Sequence, residues 1–196
     1  MENSRGQSDS PWEFPYRREP ASPGLSEIRS YRRLRLVVLS ALRRDFADRC
    51  CYCTGSTVEK GGEENFDVEH FRPKGRKEFA HLVFAYSNLY YACRGCNLAK
   101  GTKWPDASDE ERWFIDPCEE AIYPEYLRIT TTGEILSGLP PGSYLLEVFK
   151  FNKRPGVQRF LLMRDFSAKL RSAIRAGDLR EAQALLAAFE RTLILR

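Results

Sequence analysis

Two Cys-x-x-Cys pairs, Cys50/Cys53 and Cys93/Cys96, constrain this chain more than any other feature. Each pair puts two thiolates on one tight turn, and four thiolates are what a tetrahedral Zn²⁺ takes. The expectation is one structural zinc ion held by all four. Cys51 adjoins the first pair, but only Cys50 leaves two residues before Cys53, so Cys50 is taken as the ligand. The interval between the pairs is longer than in a minimal zinc ribbon, so a segment is inserted there. Cys51 and Cys118 are read as structural thiols, in keeping with a reducing compartment where metal ligands outnumber disulfides.

The 196 residues suffice for one domain, or for one domain with an appendage. A chain 42% hydrophobic and 30% charged is of ordinary soluble type. A net charge of +4 admits a polyanionic partner without demanding one. The first ten residues hold no apolar segment, which argues against a secretory signal. The apolar stretch 34–42 is short and broken by Arg35 and Ser40, so no membrane span is expected. The expected setting is cytoplasmic, with no membrane partner.

Residues 1–24 are polar and carry Pro11, Pro15, Pro20 and Pro23, the composition of a tail without its own core. Trp12, Phe14 and Tyr16 alternate within it, so part of it is expected to dock on the body. Residues 26–47 read as a helix with Ser26 as N-cap and Ile28, Tyr31, Leu34, Val38, Leu42 and Phe46 on one face. Arg29, Arg32, Arg33, Arg35, Arg43 and Arg44 cover the rest. Residues 54–64 are a loop, 66–71 a short strand stopped at Pro73, and 79–86 a second strand or a turn. Residues 88–100 lead into a short helix closed by Gly101. Further on, 126–129 and 134–136 pair as a hairpin, and 143–151 fits either a strand or a short helix. Pro155 opens a long helix with Val157, Leu161, Phe166, Leu170 and Ile174 inward. After Gly177, Asp178 and Glu181 form a capping box for a last helix facing inward with Ala182, Leu185, Leu186, Phe189 and Leu193. The division expected is a tail (1–24), a core with its lead-in helix (25–105) and a C-terminal extension of hairpin and helical pair (106–196).

The inserted segment holds Asp67-Val68-Glu69-His70-Phe71-Arg72-Pro73-Lys74. A carboxylate is a hard oxygen ligand suited to Mg²⁺, and an adjacent imidazole can accept a proton from water. Neighbours on a strand point to opposite faces, but a strand that ends here lets both side chains reach one cleft. Together they are two of the tools needed to hydrolyse a phosphodiester.

This run, followed by Ser-Asn-Leu-Tyr-Tyr-Ala-Cys-Arg-Gly-Cys-Asn-Leu-Ala-Lys-Gly at 87–101, resembles the HNH endonucleases, the ββα-metal nucleases, with an added pair of zinc knuckles. The resemblance covers about 50–104. It implies an α+β fold, a ββα-metal HNH core clamped by a four-cysteine zinc site, with flanking helices. It implies His70 as general base, Glu69 as a ligand of a catalytic Mg²⁺ or Mn²⁺, Asn88 as the residue that orients the base, and a helix-borne second ligand at Asn97. Asparagine at position 97 in place of histidine makes this the HNN variant. The flanks resemble HNH proteins of bacterial anti-phage defence systems of the Septu and retron-associated types. There the partner besides DNA is a co-encoded ATPase or another defence subunit.

Arg72, Lys74, Arg76, Lys77, Lys100 and Lys103 surround the motif. Lysine and arginine so placed neutralise backbone phosphates without reading sequence. Arg72, Lys74, Lys100 and Lys103 are the expected nucleic-acid contacts. His81 has no acidic neighbour and is taken as structural. The expected activity is metal-dependent cleavage of DNA, with an RNase using the same site as an alternative. A non-catalytic zinc module that binds nucleic acid or protein is the rival; it needs the cysteines but not His70, Glu69 or Asn97.

Overall fold

The computed structural model describes Tyr16, Ser30 and residues 37–106, 108, 109 and 111–194. The expectations for Trp12, Phe14 and Ser26, and for Ile28, Tyr31 and Leu34 on the lead-in helix, lie outside these residues. So do those for Arg29, Arg32, Arg33 and Arg35. The described part of that helix, α1 (Leu39–Asp45), buries Leu42, with Val38 just before it and Phe46 just after, as its spacing requires. Phe46 is the joint between tail and body. Its ring lies 4.9 Å from Tyr16 and 5.4 Å from Tyr90. Tyr16 donates its backbone N–H to Pro117 O at 2.9 Å, so this part of the N-terminal arm docks.

The centre is an antiparallel pair, β1 (Phe66–His70) and β2 (Leu89–Cys93), in register from Phe66↔Cys93 to His70↔Leu89. β2 is buried at every position. A strand covered on both faces has no polar alternation, so Leu-Tyr-Tyr-Ala-Cys reads as a plain apolar run. That is why the partner strand lay hidden, while 79–86 forms no strand but parts of two short 3-10 helices, Lys77–Leu82 and Tyr86–Asn88. β2 passes directly into α2 (Arg94–Lys100), for which Cys93 is the N-cap residue. Gly101 closes α2 at φ 51°, a sign of φ that glycine tolerates without Cβ strain, and donates its N–H to Asn97 O.

The second sheet is small: β3 (Arg128–Ile129) against β4 (Ile135–Leu136). The amide of Asn152 extends it, accepting from Ile135 N at 2.8 Å and donating to Ile135 O at 2.7 Å. The stretch open between strand and helix is helical, α3 (Pro140–Phe149), with proline in its first turn where no N–H is missed. α4 (Pro155–Arg175) and α5 (Leu179–Ile194) close the chain. Between them Gly177 takes φ 71°, and Asp178 Oδ1 caps the N–H of Glu181 at 2.9 Å. Their shared face is narrower than the spacing suggests, because Ile174 and Leu186 are exposed. Phe166 and Phe189 stack at 4.1 Å to hold the pair.

The architecture is α+β, with two small antiparallel sheets among helices. One buried apolar cluster runs from Tyr16 through both central strands to Leu162. Among the described residues no helix is long and apolar enough to cross a membrane.

Candidate metal centre and a buried histidine

The fold brings Cys50, Cys53, Cys93 and Cys96 together, buried, with their sulfurs all within 4.8 Å of one another. Cys50 rather than Cys51 belongs to the set, as the two-residue interval requires. The first pair sits on the turn after α1. The second spans the junction of β2 and α2, where strand geometry and the first helical turn aim both sulfurs inward. Four sulfurs about 2.3 Å from a tetrahedral zinc would stand about 3.8 Å apart; Cys53 and Cys93 stand 3.7 Å apart. The set could hold a metal ion such as zinc.

Electrostatics argue the same way. Burial pushes the thiols of Cys50, Cys53 and Cys96 up, whereas Cys93, which the other three can serve with S–H bonds, is pulled down. Burial thus opposes charge on most of the sulfurs, and a dication is what would let all four ionise. Two cations attend the cluster. Arg154 donates to Cys96 Sγ at 3.3 Å. Burial opposes its charge, but the sulfurs of Cys96, Cys53 and Cys93 outweigh burial and raise its pKa. Lys60 is raised by the same sulfurs against its own burial and lies over the Phe160 ring. Neither cation stands out in the sequence.

His70 ends β1. Its Nε2 lies 2.9 Å from Val83 O, so this nitrogen carries the proton and Nδ1 the lone pair of the neutral ring. Burial, with Lys74 and Lys100 nearby, lowers its pKa to about 4, although the Val83 carbonyl works the other way. Asn88 is buried and spends its amide on backbone. Oδ1 accepts from Arg72 N at 2.8 Å, and Nδ2 donates to Arg72 O at 3.0 Å and Leu82 O at 3.3 Å. Phe71 N also donates to Asn88 O. Asn88 therefore fixes the chain two residues beyond His70 and one residue before Val83, rather than bonding the imidazole itself.

Glu69 and Lys100 depart from expectation. Lys100 was to meet phosphate, yet it has no exposed surface: its Nζ lies 2.7 Å from Glu69 Oε1 and 3.0 Å from His70 O. It stands four residues after Cys96 on α2, and that spacing turns both inward. Glu69 was to hold a divalent ion beside His70. It pairs instead with Lys100 and accepts from the Tyr52 hydroxyl at 3.4 Å. β1 stays paired through His70, so Glu69 and His70 keep to opposite faces. Burial pushes Glu69 up to about 7 against the pull of Lys100, and burial pushes Lys100 down. A carboxylate already holding an internal cation does not fit an Mg²⁺ or Mn²⁺ ligand. Asn97 is half-buried on α2, and among the described residues the four thiols are the one metal-binding group of three or more His, Cys, Asp or Glu. Arg72, Lys74 and Lys103 are exposed, as is His81.

The lowered His70 pKa has a sign that can be measured. Unfolded, the ring takes a proton near pH 6.5; folded, only near 4. Between those values the unfolded state binds the extra proton, so stability contributed by His70 is full above 6.5 and falls as pH drops. Glu69, raised, acts in the opposite sense between its ordinary value and about 7. Comparison with His70→Gln isolates the ring. From pH 6.5 to 5 wild type should lose about 1.6 kcal/mol more than the variant, since the slope rises towards about 1.4 kcal/mol per unit only below pH 6.5. Urea titrations at the two pH values measure this, and equal losses would refute a neutral, desolvated ring.

No family model, curated protein or solved structure matches this chain.

Proposed function

We propose that this protein is an HNH-type nuclease that hydrolyses phosphodiester bonds of DNA, with one structural zinc in the four-cysteine site. The observation that carries the reading is the neutral His70 at the end of β1, in a hairpin that runs straight into the helix bearing Cys96. This is a strand–strand–helix order with an imidazole at the loop end of the hairpin. With Nε2–H held by Val83 O, Nδ1 is the atom that takes a proton from the attacking water. A ring with a pKa near 4 is in its basic form throughout the neutral range but pulls weakly on a proton. A phosphate beside it would raise that affinity, as any nearby anion does. Asn88 keeps the strand end and the Val83 segment in mutual register. The ion expected at Glu69 and Asn97 enters no step, because Glu69 is engaged with Lys100.

Arg72 and Lys74, close to His70 in sequence, and Lys103, just beyond the end of α2, are exposed and supply contacts to backbone phosphate. Each phosphate contact contributes about −0.9 to the slope of log affinity against log salt on duplex DNA. Replacing all three by alanine should flatten the slope by about 2 to 3, equally for unrelated sequences. A slope unchanged in filter-binding titrations would take these residues out of the interface.

The test of the activity is incubation of the purified zinc-loaded chain with plasmid and with RNA, each with and without Mg²⁺ or Mn²⁺. DNA cleavage supports the proposal, RNA cleavage alone redirects it to an RNase, and the metal arms decide whether an ion takes part. The engagement of Glu69 by Lys100 favours a second reading, a zinc module that binds nucleic acid or protein without cutting. Tight binding with no cleavage in any arm would select it. Action beside a defence ATPase is part of the same proposal and rests on resemblance of the flanks alone.

A further inference from the structure

We propose that Lys100 is a positioning residue for His70: its buried ammonium fixes the last residue of β1 by the backbone carbonyl. The inference rests on the reading of His70 as the base.

A lysine with no exposed surface needs a reason. Burying an ammonium is costly, and a methionine of similar length would fill the same space without that cost. What methionine would lack is donors. Lys100 uses them on Glu69 Oε1 at 2.7 Å and His70 O at 3.0 Å, with the Phe114 ring centroid 5.4 Å away. Glu69 compensates the charge; the His70 carbonyl is what is gained.

The placement makes the second bond matter. His70↔Leu89 is the last pair of the β1–β2 ladder. Beyond it the chain is tied by Asn88 to Arg72 and by Phe71 N to Asn88 O. Lys100 adds a tie from a different element, α2, whose other end is set by Cys93 and Cys96. The thiol cluster, one helix and one ammonium thus form a single path to the backbone of His70. Glu69 and Lys100 approach from one face of β1, while the imidazole occupies the other. The strand end is held from one face, and the buried ring, bonded to Val83 O, lies on the other. A displacement of about 1 Å at a reacting group is enough to cost about 10²-fold in rate.

Three variants test this: Lys100→Met, Glu69→Gln and the double Glu69→Gln/Lys100→Met, each checked for zinc content. Lys100→Met alone is expected to melt well below wild type, since it leaves Glu69 buried and unpaired. The double carries neither charge and is expected to recover most of the melting temperature. It should still cleave on the order of 10- to 100-fold more slowly, in kcat rather than KM. Its His70 imidazole resonances should shift or broaden. Glu69→Gln, which keeps the ammonium on the His70 carbonyl, should lose less activity than the double and keep His70 resonances near those of wild type.

A double variant that recovers both melting temperature and kcat, with unchanged His70 resonances, overturns the proposal and leaves the pair a packing feature. If wild type cuts neither DNA nor RNA, it is the nuclease reading that fails. The His70 resonances then decide alone: displaced in the double supports the pin, unchanged refutes it. Should the double fail to recover its melting temperature, Glu69→Gln decides, and His70 resonances displaced there as far as in Lys100→Met refute it.

Discussion

Cys53→Ala or Cys96→Ala is expected to abolish metal retention and unfold the centre of the protein rather than merely weaken it. A four-thiolate zinc contributes an apparent free energy of about 10–16 kcal/mol in small zinc-dependent folds. Whole domains are stable by only about 5–15 kcal/mol, so little margin survives its loss. The damage should not stop at the turns. Cys93 and Cys96 set the start of α2, and Arg154, at the head of α4, donates to Cys96. Chelation should therefore cost the hairpin and loosen α4 as well. Elemental analysis should return about one zinc per chain, and circular dichroism before and after chelation should show the loss of structure. A metal-free protein that melts as the loaded one does would end the structural-zinc assignment.

His70→Ala is expected to keep zinc, fold and nucleic-acid binding while cleavage falls by a factor on the order of 10²–10⁴, the usual worth of a positioned base. The ring is buried and bonded to Val83 O, so some stability will go with it; zinc content, melting temperature, binding and cutting must be read in the same preparation. A variant that cuts like wild type removes the histidine from the chemistry. One that sheds its zinc makes His70 a support of the metal centre instead.

What the sequence made legible was what depends on local spacing. Two residues between cysteines gave the right four sulfurs, including the choice of Cys50 over Cys51. Alternation gave β1, Gly101 and Gly177 gave helix ends, and Asp178 gave a cap. Features set by tertiary surroundings were not legible. β2 carries no alternation because it is covered on both faces. Ile174 and Leu186 sit on helical spacing yet outside the packed face. Lys100 looked like one more surface cation, although its place one helical turn after Cys96 was a signal of burial. Glu69 and His70, adjacent in the chain, looked like a cooperating pair. The persistence of strand pairing through His70 sends them to different neighbours. Tyr52, Val83 and Arg154 shape the site through a hydroxyl, a backbone carbonyl and a long reach, none of which a motif records.

The segment joining β1 to β2, residues 71–88, is braced where it leaves and returns: Asn88 grips Arg72 and Leu82, and the Val83 carbonyl meets His70. Its middle, 74–81, carries Lys74, Lys77 and His81 at the surface. Arg76, donating to Trp104 O, and Phe79, against the Trp104 ring, fasten the middle as well, so what can change at little cost is an exposed side chain such as Lys77 or His81. Two kinds of position are thereby separated: exposed side chains that touch little of the body, and Asn88 with the backbone that it clasps, which sets the strand end. The division lies within a single hairpin, with replaceable side chains on its surface and a fixed backbone at its roots.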